Sequence, residues 1–320
     1  MRTTRKIFIG LCALFLGLQA GPQPALADQP TFQLETLEKR STSREATSLT
    51  VQSWMSPEIG DAWRQGYTGR GVTITVVDDF RSGSRFQGDL GLGTQLLRHG
   101  EWTRQEASML APGATMRSHD FQSGSRVRLN RGLNVANLSY GMFAPSGFSP
   151  SQIQWSAQES SLITYARDGR AVVSKAAGND AVAVGAANAR GNLDYLNAAL
   201  IGTQSTIFVG ALDRNGSLSR PASLADYSNF AGSDRTVQNQ FLVVGVEGHK
   251  TGLYGTSFAA PVVSGYSAVL GSKFTRATPT QIVDRLLSTA RTDTIANYDM
   301  GIHGRGEASI ARALAPAAIR

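Results

Sequence analysis

The chain alternates short apolar runs with longer amphipathic ones, the pattern of a parallel sheet covered by helices on both faces. Val72–Val77 is a β-branched run introduced by Gly69 and Gly71, and it reads as a buried parallel strand with Asp78 and Asp79 at its carboxyl end. Thr115–Phe121 and Thr206–Leu212 read as further strands, and Val172–Ala177 as a strand closing on a tight Gly178–Asn179 turn. Asn134–Gly141 also reads as a strand, either an ordinary core strand or an exposed edge. Gln152–Arg167 reads as a helix. At Thr278-Pro279-Thr280-Gln281 an N-cap, a proline at the first helical position and a capping-box glutamine open another, with Ile282, Val283, Leu286, Leu287 and Ala290 on one face. After Ser257, the small and apolar residues Val262, Val263, Gly265, Ala268, Val269 and Leu270 predict a buried helix starting at that serine. Its N-terminal end then favours negative charge near the Ser257 hydroxyl and N–H.

The N-terminus changes the picture of where the protein works. Arg2, Arg5 and Lys6 precede a twelve-residue apolar run, Ile7–Leu18, and Ala25-Leu26-Ala27 offers a small-residue cleavage site. Residues 1–27 are therefore expected to be a signal peptide cut after Ala27, giving a secreted or periplasmic product. A membrane span needs about 20 apolar residues, so no membrane anchor is expected after cleavage. Cleavage also removes Cys12, the only cysteine. The remaining 293 residues suffice for one large domain, expected over residues 52–316. Residues 28–51 form a polar arm that is too short to fold alone. The whole chain carries +7 from 31 basic and 24 acidic residues; the leader holds three basic and no acidic groups, so the mature excess is +4. Those basic residues are scattered rather than striped, which argues against nucleic-acid binding.

Four motifs carry candidate chemistry: Asp78 after its strand, His99-Gly100 with Ala111-Pro112-Gly113-Ala114 downstream, Ala176-Ala177-Gly178-Asn179-Asp180, and Gly255-Thr256-Ser257-Phe258-Ala259-Ala260-Pro261. Their chain order Asp, His, Asn, Ser resembles that of the subtilisin-like serine peptidases. The flanks Thr68-Gly69-Arg70-Gly71-Val72, Phe208-Val209-Gly210-Ala211 and Tyr227-Ser228-Asn229-Phe230-Ala231-Gly232 are similar too, so the resemblance runs from about Trp54 to Ala313. It implies an α/β, three-layer fold with a mostly parallel central sheet. It also implies a catalytic triad of Asp78, His99 and Ser257, an oxyanion-hole Asn179, and acyl transfer through the serine. Substrate backbone is expected to pair with Leu138, Ser139, Tyr140 and Gly141, facing Ala177 and Gly178, which favours broad protein or peptide substrates. Tyr140 and Phe258 hint at an apolar preference beside the scissile bond.

Two departures from the family pattern stand out. Asp79-Phe80 follows the acid where Ser/Thr-Gly is usual, so Asp79 competes with Asp78 for the histidine or acts as a charge or cation ligand. Asp78 is favoured because it directly follows the strand. Glu101-Trp102 replaces a common Thr-His. The chemistry requires no cofactor and no metal ligand set is assigned, although structural calcium is compatible with the fold. A monomer is expected. Two rival readings are an esterase ordered Ser257, Asp299, His303, which lacks the Gly-x-Ser-x-Gly elbow, and a non-catalytic scaffold of the same fold that binds peptides or a partner.

Overall fold

The computed structural model describes Ile7, Phe8 and residues 49–319. The rest of the expected leader, its cut after Ala27, Cys12 and the arm up to residue 48 lie outside these residues. Six strands build one sheet: β1 (Val72–Asp78), β2 (Thr115–Asp120), β3 (Leu133–Leu138), β4 (Val172–Ala176), β5 (Thr206–Leu212) and β6 (Phe241–Gly245). Their spatial order is β6-β5-β4-β3-β1-β2, and every neighbouring pair is parallel. All seven residues of β1 are buried, as a strand covered on both faces requires.

The pleat sorts the side chains into two cores. Val72, Ile74 and Val76 of β1, Val135 of β3 and Val209 of β5 join one core, while Val77, Leu138 and Phe208 join the other. Burying each such side chain stabilises the fold by roughly 1.5–3 kcal/mol. The first core is covered by α2 (His99–Leu110), α5 (Ala260–Lys273) and α6 (Pro279–Ser288), with α1 (Glu58–Arg64) beyond; the second is covered by α3 (Ala157–Arg167) and α4 (Tyr195–Leu200). Helix α5 is buried from Ala260 to Gly271, and its buried Ser264 and Ser267 donate back to the Ala260 and Val263 carbonyls. Gly265 lets it press onto α2, since a Cβ there would stand 2.6 Å from Leu110 Cβ.

The expected three-layer parallel architecture is present, with four local differences. The helix after Ser257 begins at Ala260, preceded by a 3-10 turn over Thr256–Phe258. Gly255 enters that turn at φ +118°, and Pro261 fits only a first helical turn, so regular helix starts just before it. Helix α3 starts at Ala157 rather than Gln152, because the Ser156 hydroxyl caps it by accepting the Gln158 N–H. Strand β2 ends at Asp120, whose carboxylate caps the next turn. Strand β3 stops at Leu138 in mid-sheet: it pairs with β1 on one side and β4 on the other, so only residues after Leu138 have backbone to offer a peptide.

Candidate active site

Asp78 lies at the carboxyl end of β1, where the backbone leaves the sheet and side chains face the space above it. Its Oδ1 is 2.6 Å from His99 Nδ1, a contact in which the ring N–H donates to the carboxylate. The Asp79 N–H also donates to Oδ1 at 2.7 Å, and the Thr103 hydroxyl donates to Oδ2 at 2.9 Å. Asp79 itself accepts from the Arg81 and Ser82 N–H groups and from the Ser82 hydroxyl, so its oxygens serve a local turn rather than hydrogen-bonding the imidazole. The ambiguity between the two carboxylates resolves geometrically to Asp78.

His99 is the first residue of α2. Gly100 follows because a Cβ there would meet the Asp79 carbonyl at 2.6 Å and the Phe80 ring at 2.9 Å. Glu101 accepts the Arg98 N–H at 2.8 Å and so closes the helix start. Trp102 is fully buried and donates its indole N–H to the Phe86 carbonyl, holding the Phe86 ring 6.1 Å from the imidazole. The unusual Glu101-Trp102 pair thus positions the helix and its neighbouring hairpin, in which Phe86–Gly88 pairs antiparallel with Gln95–Leu97. Burial lowers the His99 pKa, but the Asp78 charge and hydrogen bond, with the Asp79 charge behind them, outweigh burial and leave it raised.

Ser257 occupies the 3-10 turn ahead of α5. Its hydroxyl donates to the Ser139 carbonyl at 3.2 Å, and its own carbonyl accepts the Ser139 hydroxyl at 2.9 Å. Asn179 ends the turn after β4. Its Oδ1 accepts both the Thr256 N–H at 2.8 Å and the Thr256 hydroxyl at 2.9 Å, which fixes the side-chain plane and leaves Nδ2 as the donor end. Two glycines make room. Gly178 has φ +116°, and a Cβ on it would meet Asn229 Nδ2 at 2.3 Å; Gly255 lies under the Asn179 amide. Asn229 buttresses this turn, accepting the Asp180 and Val182 N–H groups and donating to the Ala177 carbonyl.

Asp78, His99, Asn179 and Ser257 line one cavity of about 330 Å³, together with Ser139, Tyr140, Gly141 and Gly178. Two expected substrate contacts are not brought there. Leu138 is fully buried and paired on both sides within the sheet, and Ala177 is fully buried with its N–H given to Val209. The rival serine partners also fail to assemble: Asp299 and His303 border a separate shallow depression or pack on Tyr298, with neither in the Ser257 cavity. Sequence reasoning missed Thr103, Thr256 and Asn229; Asn229 belonged to a recognised motif but carried no chemical cue. It also missed Lys175 and Asp194, which line the same cavity. Among the described residues, no three His, Cys, Asp or Glu side chains gather as a metal ligand set.

Residues 99–304 match the model of the subtilase family. The chain belongs to that family. Its fold is similar to that of the prenylagaramide maturation protease PagA, at TM-score 0.53 and 18% identity over 81% of this chain and 98% of PagA. It is also similar to MycP1 from the ESX-1 type VII secretion system, at TM-score 0.53 and 19% identity over 85% of this chain and 88% of MycP1. At such identities the likeness concerns the fold. Comparison with curated proteins finds no match. The subtilase match begins at His99, so Asp78 lies outside the matched segment and is tied to His99 by their 2.6 Å contact.

Proposed function

We propose that this subtilase is an exported serine endopeptidase that cleaves protein and peptide chains through an acyl-enzyme. Ser257 Oγ attacks the scissile carbonyl carbon while His99 takes the hydroxyl proton. Asp78 holds the opposite ring nitrogen, fixing the tautomer and stabilising the imidazolium. The carbonyl oxygen becomes an oxyanion that accepts hydrogen bonds from Asn179 Nδ2 and the Ser257 N–H. Collapse breaks the C–N bond, and the leaving amine takes the proton from His99. Water, deprotonated by the same imidazole, then hydrolyses the ester and regenerates the serine. Substrate backbone runs along Ser139–Gly141, where the sheet pairing of β3 has ended.

The observation that carries this reading is the 2.6 Å Asp78–His99 contact in a cavity that also presents Ser257 and an orientationally locked Asn179. Export rests on the basic, apolar and small-residue sequence of the leader. Among the described residues no helix is long and apolar enough to cross a membrane. Labelling with a fluorophosphonate serine probe and digestion of casein test the proposal. The wild-type protein is expected to do both and Ser257→Ala neither. Unlabelled wild-type protein at every pH would leave a peptide-binding scaffold instead.

A further inference from the structure

The proposed acyl transfer leaves one buried ion pair of the cavity unused. Lys175 lies four residues before Asn179 on β4, and its side chain is 1% exposed. Its ammonium donates to the Ala176 carbonyl at 2.7 Å and to Asp194 Oδ2 at 3.2 Å. An ammonium has three protons, and two are accounted for among the described residues. Asp194 is held from its other oxygen: Oδ1 accepts the N–H groups of Met142, Leu196 and Asn197. Its Oδ2 takes Lys175 alone among the described residues and keeps an acceptor site. Both residues line the cavity that holds Ser257, as do Tyr140, Gly141 and Ala176.

Gly141 passes close beside this pair. A Cβ there would stand 2.9 Å from Asp194 Oδ2 and 2.5 Å from the Phe143 ring, so a side chain at this position would crowd both the carboxylate and the ring. The segment proposed to hold substrate backbone therefore carries no side chain at the point where it passes Asp194.

We propose that the Lys175–Asp194 pair selects a primary carboxamide, from asparagine or glutamine, on the substrate residue whose carbonyl Ser257 attacks. This rests on the peptidase reading above. An ammonium N–H and a carboxylate lone pair side by side match a carboxamide, which accepts through its oxygen and donates through its nitrogen. A basic side chain would set a second cation beside Lys175, and an acidic one a second anion beside Asp194. An apolar side chain would strip water from both groups and return no hydrogen bond, the situation in which polar pockets discriminate most strongly. This selection departs from the apolar preference that Tyr140 and Phe258 suggest beside the scissile bond, and the Tyr140 hydroxyl donates to Glu159 rather than into the pair.

The test is a panel of fluorogenic peptides that differ only at that residue (Gln, Asn, Glu, Lys, Leu, Phe), with fluorophosphonate labelling in parallel. Wild-type kcat/KM for Gln or Asn is expected to exceed that for Leu, Glu and Lys by about tenfold or more. Lys175→Met should erase that margin, chiefly by lowering the carboxamide rates. Asp194→Asn should move preference toward Glu, because its Oδ1 must keep accepting three N–H groups and so an amide N–H replaces Oδ2. Thermal melting and labelling of each variant report folding, and the wild-type profile decides the question even where a variant fails to fold. A labelled, active wild-type enzyme with a flat, apolar or charged preference overturns the carboxamide selection alone. A wild-type protein that neither labels nor cleaves overturns the peptidase reading beneath it.

Discussion

Thr256→Val isolates the device that aims the proposed oxyanion donor. The Thr256 hydroxyl donates to Asn179 Oδ1 at 2.9 Å and accepts the Gly178 N–H at 3.0 Å, and the residue is fully buried. Valine keeps the shape and removes both bonds, while the Thr256 N–H still holds Asn179 Oδ1 at 2.8 Å. One of two anchors on the amide is lost. At ~0.5–1.5 kcal/mol for a net hydrogen bond, kcat should fall by about twofold to tenfold with KM little changed. The Gly178 N–H loses its partner, so stability should drop by about 1–3 kcal/mol. Asn179→Ala removes the donor outright and should cost ~2.7–4 kcal/mol of transition-state stabilisation, a magnitude measured on a subtilisin and thus borrowed from a relative. Steady-state kinetics on one peptide, urea unfolding and the double variant complete the cycle. If Thr256 acts through Asn179, Thr256→Val should cost little further kcat once Asn179 is alanine. A double variant that loses the full product of the two single effects refutes the coupling.

Asp79→Asn removes one of the charges that raise the His99 pKa. Since neutral imidazole is the working base, the acid limb of kcat/KM should lie above the ordinary histidine value of 6.5 in the wild type and move to lower pH in the variant; an unmoved limb, or one moved upward, would count against it. Gly178→Ala forces a Cβ within 2.3 Å of Asn229 Nδ2 at φ +116°, so both activity and melting temperature should fall, and unchanged values for both would show that the turn adapts.

The sheet, and the four candidate residues that line one cavity, were legible because each leaves a local mark. A β-branched run such as Val72–Val77 has no comfortable helical form, and Gly178 and Gly255 mark places where backbone must pass close to another group. The limits were equally local in origin. The edge or interior status of β3 depends on which strands flank it, a long-range fact that Asn134–Gly141 does not encode. Leu138 and Ala177 were therefore expected to touch substrate, although strand pairing on both sides buries Leu138, and Ala177, just past β4, is buried with its N–H donated to the Val209 carbonyl. Ser156 competes with the helical pattern around it, and only its cap to Gln158 reveals where α3 begins.

Thr103, Thr256 and Asn229, which sequence alone missed, act on other groups of the protein rather than on substrate, as does Trp102. Thr103 holds Asp78, Thr256 holds Asn179, Asn229 holds the turn beneath it, and Trp102 holds the hairpin beside His99. The required chemistry is a single hydroxyl, amide or indole N–H at a distance, which many residue types at many positions supply. The reacting groups face a narrower demand, since only an imidazole between a carboxylate and a hydroxyl performs the proposed transfer. Substitution in the supporting set should therefore grade activity rather than abolish it. The same reasoning gives the replaced Thr-His pair its meaning: Glu101 and Trp102 bind the helix start and the hairpin by groups the usual residues lack, while the Asp78–His99 distance remains 2.6 Å.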